Sequence, residues 1–285
     1  MTQPVPGPDA QPDLARPRSA AGSTESTSIQ KVCALLRALA AHAPQRLTEL
    51  SAATGLNKVT ALRILDSLCQ EGFVQRSADG RGYGPGPETL AFAAAFKRSD
   101  DVRELARASL VRLAELSEDT ILLSVRSGVE SVCVERQVGS YPIRANYLDI
   151  GSRRPLGIGA GSMALLAFLP DAEVEAVLGV LGARLAPYPR STVATLRADI
   201  AIARPKGYAM LLDRVIDKMG AIGVPIRDPS GRPVAALSIA ALTERIRDRE
   251  TQLGEALLRE ADLIQREMRA GLPPQTPTRR RKPMP

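Results

Sequence analysis

The sequence predicts an α+β chain in two parts, a winged helix-turn-helix followed by a larger α/β unit. Three observations carry that reading. Residues 28–83 hold three helical stretches and then two short strands around Ala78-Asp79-Gly80, a tight-turn signal. Beyond Pro85 and Pro87 the pattern changes to strands and amphipathic helices, with turn residues between many of the strands. The chain has 285 residues, 44% of them hydrophobic, which is enough for two cores.

The first helix, about residues 29–40, puts Val32, Leu35, Leu36 and Leu39 on one face. Pro44 ends that segment. Thr48 is the expected N-cap of a short second helix carrying Leu50 and Ala53. Gly55 supplies a tight turn. Asn57 caps a third helix running to about Gln70, with Gly72 as its stop. Ala61, Ile64, Leu65 and Leu68 face inward on it, while Asn57, Thr60, Arg63 and Ser67 share a polar face. Residues 73–76 and 81–83 read as the strands of a hairpin. A small apolar helix over 87–98, with Leu90, Phe92, Ala93 and Phe96, reads as a linker that packs on its own chain or on a dimer partner.

A helix capped by Ser99 follows, carrying Val102, Leu105, Ala106, Leu110, Leu113 and Leu116. Strands are expected over 121–126, 131–137 and about 143–148. Gly157-Ile158-Gly159-Ala160-Gly161-Ser162 opens a helix through Leu169, and further helices cover 172–181 and 192–205. Strands over 207–212, 221–227 and 233–240 complete a sheet, the last two joined by the turn Asp228-Pro229-Ser230-Gly231. One long helix over 243–270 closes the domain, with Gly271 as its stop. Hairpins outnumber strand-helix-strand units, so the sheet is expected to be mostly antiparallel. The expected boundaries are a disordered arm at 1–26, the winged helix-turn-helix at 27–86, a linker helix at 87–98, the α/β domain at 99–270 and a disordered basic tail at 271–285.

Composition excludes several classes. The only histidine, His42, rules out a multi-His metal site and leaves a nucleophilic Ser or Cys one candidate base. Cys33, Cys69 and Cys133 are too far apart for a zinc cluster. Their odd number suits reduced thiols. No apolar run reaches the roughly 20 residues of a membrane span, and no signal-peptide pattern opens the chain. The expectation is a soluble cytoplasmic protein with no metal or cofactor. The net charge is +7, but residues 271–285 supply four basic residues and no acid, so overall charge says little about partners.

Two motifs carry chemistry. In a helix-turn-helix, the second of its two helices enters the major groove with its N-terminal residues at base edges. Lys58 and Arg63 can then reach phosphates or guanine, Thr60 a base or phosphate, and Arg81 and Arg76 phosphates from the wing. The plainer reading is a structural three-helix lobe with a solvated polar face. The second motif is the glycine-rich run before the helix at Ala160. Its backbone amides and dipole suit a carboxylate or phosphate, and tight packing explains the glycines equally well. It lacks the Lys and Ser/Thr of a phosphate loop. Arg153-Arg154-Pro155 makes a poor buried strand for a dinucleotide fold. Ser162 is not a nucleophile, because His42 lies in the other domain.

Four stretches, in order, resemble the IclR (isocitrate lyase regulator) family of bacterial transcription factors over residues 28–268. They are Ser28-Ile29-Gln30-Lys31-Val32, the run from Leu47-Thr48-Glu49-Leu50 through Gly55-Leu56-Asn57-Lys58-Val59-Thr60-Ala61-Leu62-Arg63-Ile64-Leu65, Ala164-Leu165-Leu166-Ala167-Phe168-Leu169-Pro170, and Lys206-Gly207-Tyr208-Ala209 with Gly231-Arg232-Pro233-Val234-Ala235-Ala236-Leu237-Ser238. The resemblance implies a homodimer or dimer of dimers on double-stranded operator DNA and a GAF-like α/β domain that senses a small organic acid. It implies that Thr48, Lys58, Thr60 and Arg63 face DNA. It places the effector against Gly159, Ala160, Gly161 and Ser162, the segment around Ala221, and Ser238. The chain departs from the family pattern at Met210-Leu211-Leu212-Asp213-Arg214, which keeps one acid of a usual cluster. Gly220-Ala221 stands where many members have Arg-Cys, and Gly157 where His is common. These departures favour a larger or more apolar acid over two- or three-carbon keto acids. The reading is a ligand-responsive, non-enzymatic regulator. The alternative is a metabolite-binding protein or enzyme whose helical lobe is purely structural.

Overall fold

The structure, a computed structural model, describes residues 27–41, 43–96, 102–145 and 147–270. It divides into two compact units. One holds the N-terminal elements together with Gly151–Arg153 and Val180–Pro189. The other holds Val102–Ile150, Arg154–Gly179 and the chain from Arg190 onward.

In the first unit α1 (Ser28–Ala41), α2 (Leu47–Thr54) and α3 (Lys58–Gln70) enclose Leu35, Leu39, Leu50, Ala61 and Leu65, all fully buried. These are the apolar stripes read from the helical spacing. The turn between α2 and α3 needs a left-handed residue, and Gly55 supplies it at φ 71°. Asn57 caps α3, its Oδ1 accepting from the Thr60 amide at 2.8 Å. Thr48 does not cap α2. The cap residue is Arg46, whose amide donates to the Glu49 carboxylate at 2.7 Å, so the turn is closed from inside the helix and Thr48 sits exposed on its first turn.

The hairpin pairs β1 (Val74–Arg76) with β2 (Tyr83–Pro85). A backbone bridge between Gln45 and Tyr83, at 2.9 and 2.8 Å, adds the α1–α2 connection to its edge. Then α4 (Glu88–Phe96) leaves Leu90 74% and Phe92 65% exposed, although the Phe92 ring also meets Phe73 at 5.6 Å. His42, Ser99 and both termini lie outside the described residues.

The second unit is a six-stranded sheet in the order β5-β4-β3-β8-β7-β6. Its strands are β3 (Thr120–Ser127), β4 (Glu130–Gln137), β5 (Arg153–Pro155), β6 (Ala209–Leu212), β7 (Met219–Arg227) and β8 (Pro233–Leu242). From β4 through β6 the neighbours run antiparallel. On one face α5 (Val102–Ser117), α9 (Thr243–Asp248) and α10 (Glu250–Ala270) bury alternate strand residues such as Ile121, Leu123, Ile222, Val224, Leu237 and Ile239. The other face takes α6 (Ala160–Ala167), every residue of which is buried. After α7 (Asp171–Leu181) comes α8 (Val193–Lys206). From α8 the Arg204 guanidinium donates to the Ala167 and Leu169 carbonyls at 2.8 and 3.2 Å, tying down the end of α6.

Three expectations are corrected. No strand forms over 143–148 among its described residues. The edge beside β4 is taken by β5, so 143–148 had no ladder to join, and Ala145, Tyr147 and Leu148 instead pack on the sheet's face. The Arg153-Arg154-Pro155 run, read only as a poor buried strand and not counted in the sheet, is that short edge strand, with Arg154 only 7% exposed. The C-terminal helix is two helices, broken at Arg249. There Arg245 and Arg249 both turn onto Asp119, whose side chain is 1% exposed and accepts from them at 3.0 and 2.5 Å. This long-range ion cluster outweighs the continuous helical pattern.

Candidate DNA-contact surface and effector site

The first surface is built on α3. Its inner face is fixed by Ala61, Leu65 and Leu68, so the first turn projects Lys58 outward, and Arg63 lies exposed one turn further on. Neither cation has an ion-pair partner among the described residues. Thr60 is half-buried. Asn57 is exposed, but its Oδ1 is committed to the cap, leaving the amide nitrogen to face outward partners. At the wing tip, Asp79 accepts from the Ser77 hydroxyl at 2.5 Å and from the Arg81 amide at 3.0 Å. The Ser77 bond, and then the Arg81 amide, hold its carboxyl below the usual range. That rigid tip presents Arg81 to solvent. Arg76 is differently placed. It pairs with Asp66 of α3 at 3.2 Å and stacks over the Tyr83 ring at 5.0 Å, so it braces the wing against the helix.

The second surface is the start of α6. Gly159 is its N-cap at φ 89° and ψ 152°. The helix lies unusually close to the sheet: a Cβ on Gly223 would come within 2.9 Å of the Gly161 amide nitrogen, and one on Gly161 within 3.0 Å of the Ser238 hydroxyl. Both glycines therefore serve close helix–sheet packing, and Ser238 faces the first turn of α6. The Ser162 hydroxyl donates to the Pro155 carbonyl at 3.0 Å, which ties α6 to β5. Ala221 is half-buried on β7, beside the cluster of Leu122, Cys133 and Ala240. The structure thus gathers Gly159, Ala160, Gly161 and Ser162 at one helix end, with Ser238 beneath and Ala221 nearby on the same sheet face. Asp213, the acid that departs from the family register, is held by the Thr243 hydroxyl at 2.7 Å.

Two models of known families match. The IclR helix-turn-helix domain covers residues 28–78, and the bacterial transcriptional regulator IclR C-terminal domain covers 94–266. The chain belongs to the IclR family. It is a transcriptional regulator with a DNA-binding helix-turn-helix, and the family is one of regulators rather than enzymes. The HTH-type transcriptional regulator KipR of Bacillus subtilis is 28% identical over 251 residues, covering 82% of this chain and 98% of that one. The IclR fold is shared with the crystal structure of a regulator from Alicyclobacillus acidocaldarius, with TM-score 0.71, 24% identity, and coverage of 85% of this chain and 98% of that one. It is shared equally with an IclR homolog from Microbacterium hydrocarbonoxydans complexed with 4-hydroxybenzoate, with TM-score 0.70, 22% identity, and coverage of 86% and 100%.

Sequence reasoning passed over two residues of this IclR-family chain. Val59, on the first turn of α3, is 70% exposed, an apolar side chain among the groups nearest the groove in a helix-turn-helix. Its signal was present in the helical period, which leaves Val59 off the buried stripe. Arg154 had no such signal, because charge in a sequence reads as solvent. Its guanidinium stacks over Tyr147 at 5.2 Å and donates to the Tyr147 carbonyl at 3.4 Å. Its Nη1 lies 3.5 Å from where a Cβ on Gly159 would be. A buried cation therefore stands beside the positive end of α6. Burial raises the Tyr147 phenol pKa, with Arg154 opposing. Among the described residues no helix is long and apolar enough to cross a membrane, and no group of three or more His, Cys, Asp or Glu could hold a metal.

Proposed function

We propose that this regulator binds operator DNA as a homodimer or dimer of dimers and that a small organic acid, bound at the start of α6, changes that binding. The observation that carries the reading is the pairing of Arg154 with the N-terminus of α6, two positive features meeting at Gly159. A carboxylate there gains charge-assisted bonds from amides and guanidinium together. Support for an acid of some size comes from the apolar cluster next to it and from the neighbour that holds 4-hydroxybenzoate. On the DNA side, Lys58, Arg63 and Arg81 are assigned to phosphates or guanine. Thr48, Asn57 and Thr60 are assigned to hydrogen bonds with the backbone or bases, and Val59 to a thymine methyl. The exposed Leu90 and Phe92 of α4 are assigned to the dimer contact, which lets two half-sites bind together. The test is a gel-shift or anisotropy titration against the DNA upstream of the chain's own gene and its neighbours, repeated with organic acids. Sequence-selective binding that an acid weakens or strengthens is the expected result. Binding no tighter than to random DNA overturns it.

A further inference from the structure

The sheet face beneath Ala145, Tyr147 and Leu148 holds a polar group left without a partner among the described residues. Thr120 is 2% exposed, and its hydroxyl has no hydrogen-bond partner among the described residues. A buried hydroxyl left unmatched costs stability unless something else uses it. Thr120 precedes Leu122 by two positions on β3, so the two share the face that carries the Leu122, Cys133 and Ala240 cluster. Across the ladder Thr120 stands opposite Ala240, and Leu122 opposite Ser238. Ser238 in turn faces Gly161 at the start of α6. The orphan hydroxyl therefore lies two strand positions, about 7 Å, from the row that meets the helix end. Between them the surface is apolar. Tyr147 and Leu148 cover it, from a segment that forms neither helix nor strand among its described residues.

We propose that Thr120 is the far end of the effector site, and that the effector is an elongated acid with a second polar group at the end opposite its carboxylate. This rests on the carboxylate reading of α6 and extends it. The carboxylate lies at the first turn of α6 beside Arg154. The flat apolar body replaces Tyr147 and Leu148 over Leu122 and Ala240. The distal hydroxyl or carbonyl bonds to Thr120. A para-hydroxylated benzoate has this shape and polarity. Two-carbon acids do not reach.

The test uses three probes on the full chain by calorimetry and thermal shift: 4-hydroxybenzoate, benzoate, and 4-hydroxybenzamide. In the wild type 4-hydroxybenzoate binds about tenfold tighter than benzoate, the worth of one buried hydrogen bond. Thr120→Val keeps the shape and removes the hydroxyl. It leaves the unliganded melting temperature equal or higher and closes the gap between the two acids to within about twofold. A gap absent from the wild type, or intact in Thr120→Val, overturns the assignment of Thr120. No binding of either acid overturns the elongated-acid reading as a whole. The uncharged amide separates the other end: affinity equal to the acid's removes the carboxylate from α6 and leaves Thr120 standing.

Discussion

Replacing Arg63 with alanine tests the groove-facing side of α3 without touching its core. Arg63 is exposed and has no ion-pair partner among the described residues, whereas Arg76 is held by Asp66 and the Tyr83 ring. A cation on a phosphate releases a counterion, and the slope of log affinity against log salt falls by about 0.9 for each phosphate left without its cation. A dimer carries two copies of Arg63, so the slope falls by about 1.8. Between 50 and 200 mM salt, a fourfold change, the wild type then loses about twelvefold more affinity than the variant does. Arg76→Ala is the internal control. It loosens an exposed ion pair worth at most about 1 kcal/mol and leaves the slope near the wild-type value. The assay is fluorescence anisotropy on one operator duplex at four or five salt concentrations, with melting curves alongside. If Arg63→Ala keeps the wild-type slope and affinity while melting normally, α3 is not in the groove.

Three further outcomes are expected. Asp119→Asn leaves Arg245 and Arg249 facing a neutral group in a site where the carboxylate is 1% exposed. Urea unfolding should show a loss of about 3 kcal/mol, the low end for a broken buried pair, because both guanidinia keep some solvent. A loss below about 1 kcal/mol contradicts the buried-cluster account. Leu90→Glu should convert the dimer to a monomer in ultracentrifugation and weaken operator binding, with little change in melting because Leu90 is 74% exposed. The Cys133 thiol, with its pKa pushed up by burial from 9.0 to about 12, should resist alkylation in the native chain at pH 8 and react only on unfolding. Since the folded pKa is the raised one, its contribution to stability is complete below pH 9.0 and is lost as pH rises toward about 12. Native labelling at the rate of a free thiol would contradict the burial.

Much of this was readable in the residues. Val32, Leu35, Leu36 and Leu39 on α1 and Ala61, Ile64, Leu65 and Leu68 on α3 repeat at helical spacing, and Asp79-Gly80 marks the wing turn, because both signals are local. What escaped depends on distant partners. The apolar alternation at Ile143, Ala145 and Tyr147 has the period of a strand, but whether a strand forms depends on a free edge, and β5 holds it. The break at Arg249 is set by an aspartate 130 positions away in the chain. At the effector site the glycine run was conspicuous, yet Arg154 and Thr120 were not. Their significance comes from burial beside α6 and beside a strand pair, neither of which spacing can express.

The position of β3 also governs how the chain can be made. Thr120 pairs with Ala240, and Ile121 with Ile239, so a strand synthesised before the midpoint waits for one near the end. The N-terminal helices and hairpin close their core from residues within 28–85, and can fold while the ribosome is still working. Until β8 emerges, β3 and β4 form an apolar ribbon with an open edge, the kind of surface that joins strands of other nascent chains. A message cut short after β4, at Gln137, but before β8 is complete at Leu242 therefore yields aggregating protein rather than a free DNA-binding lobe, and its cellular signature is loss of the regulator, not an unresponsive one.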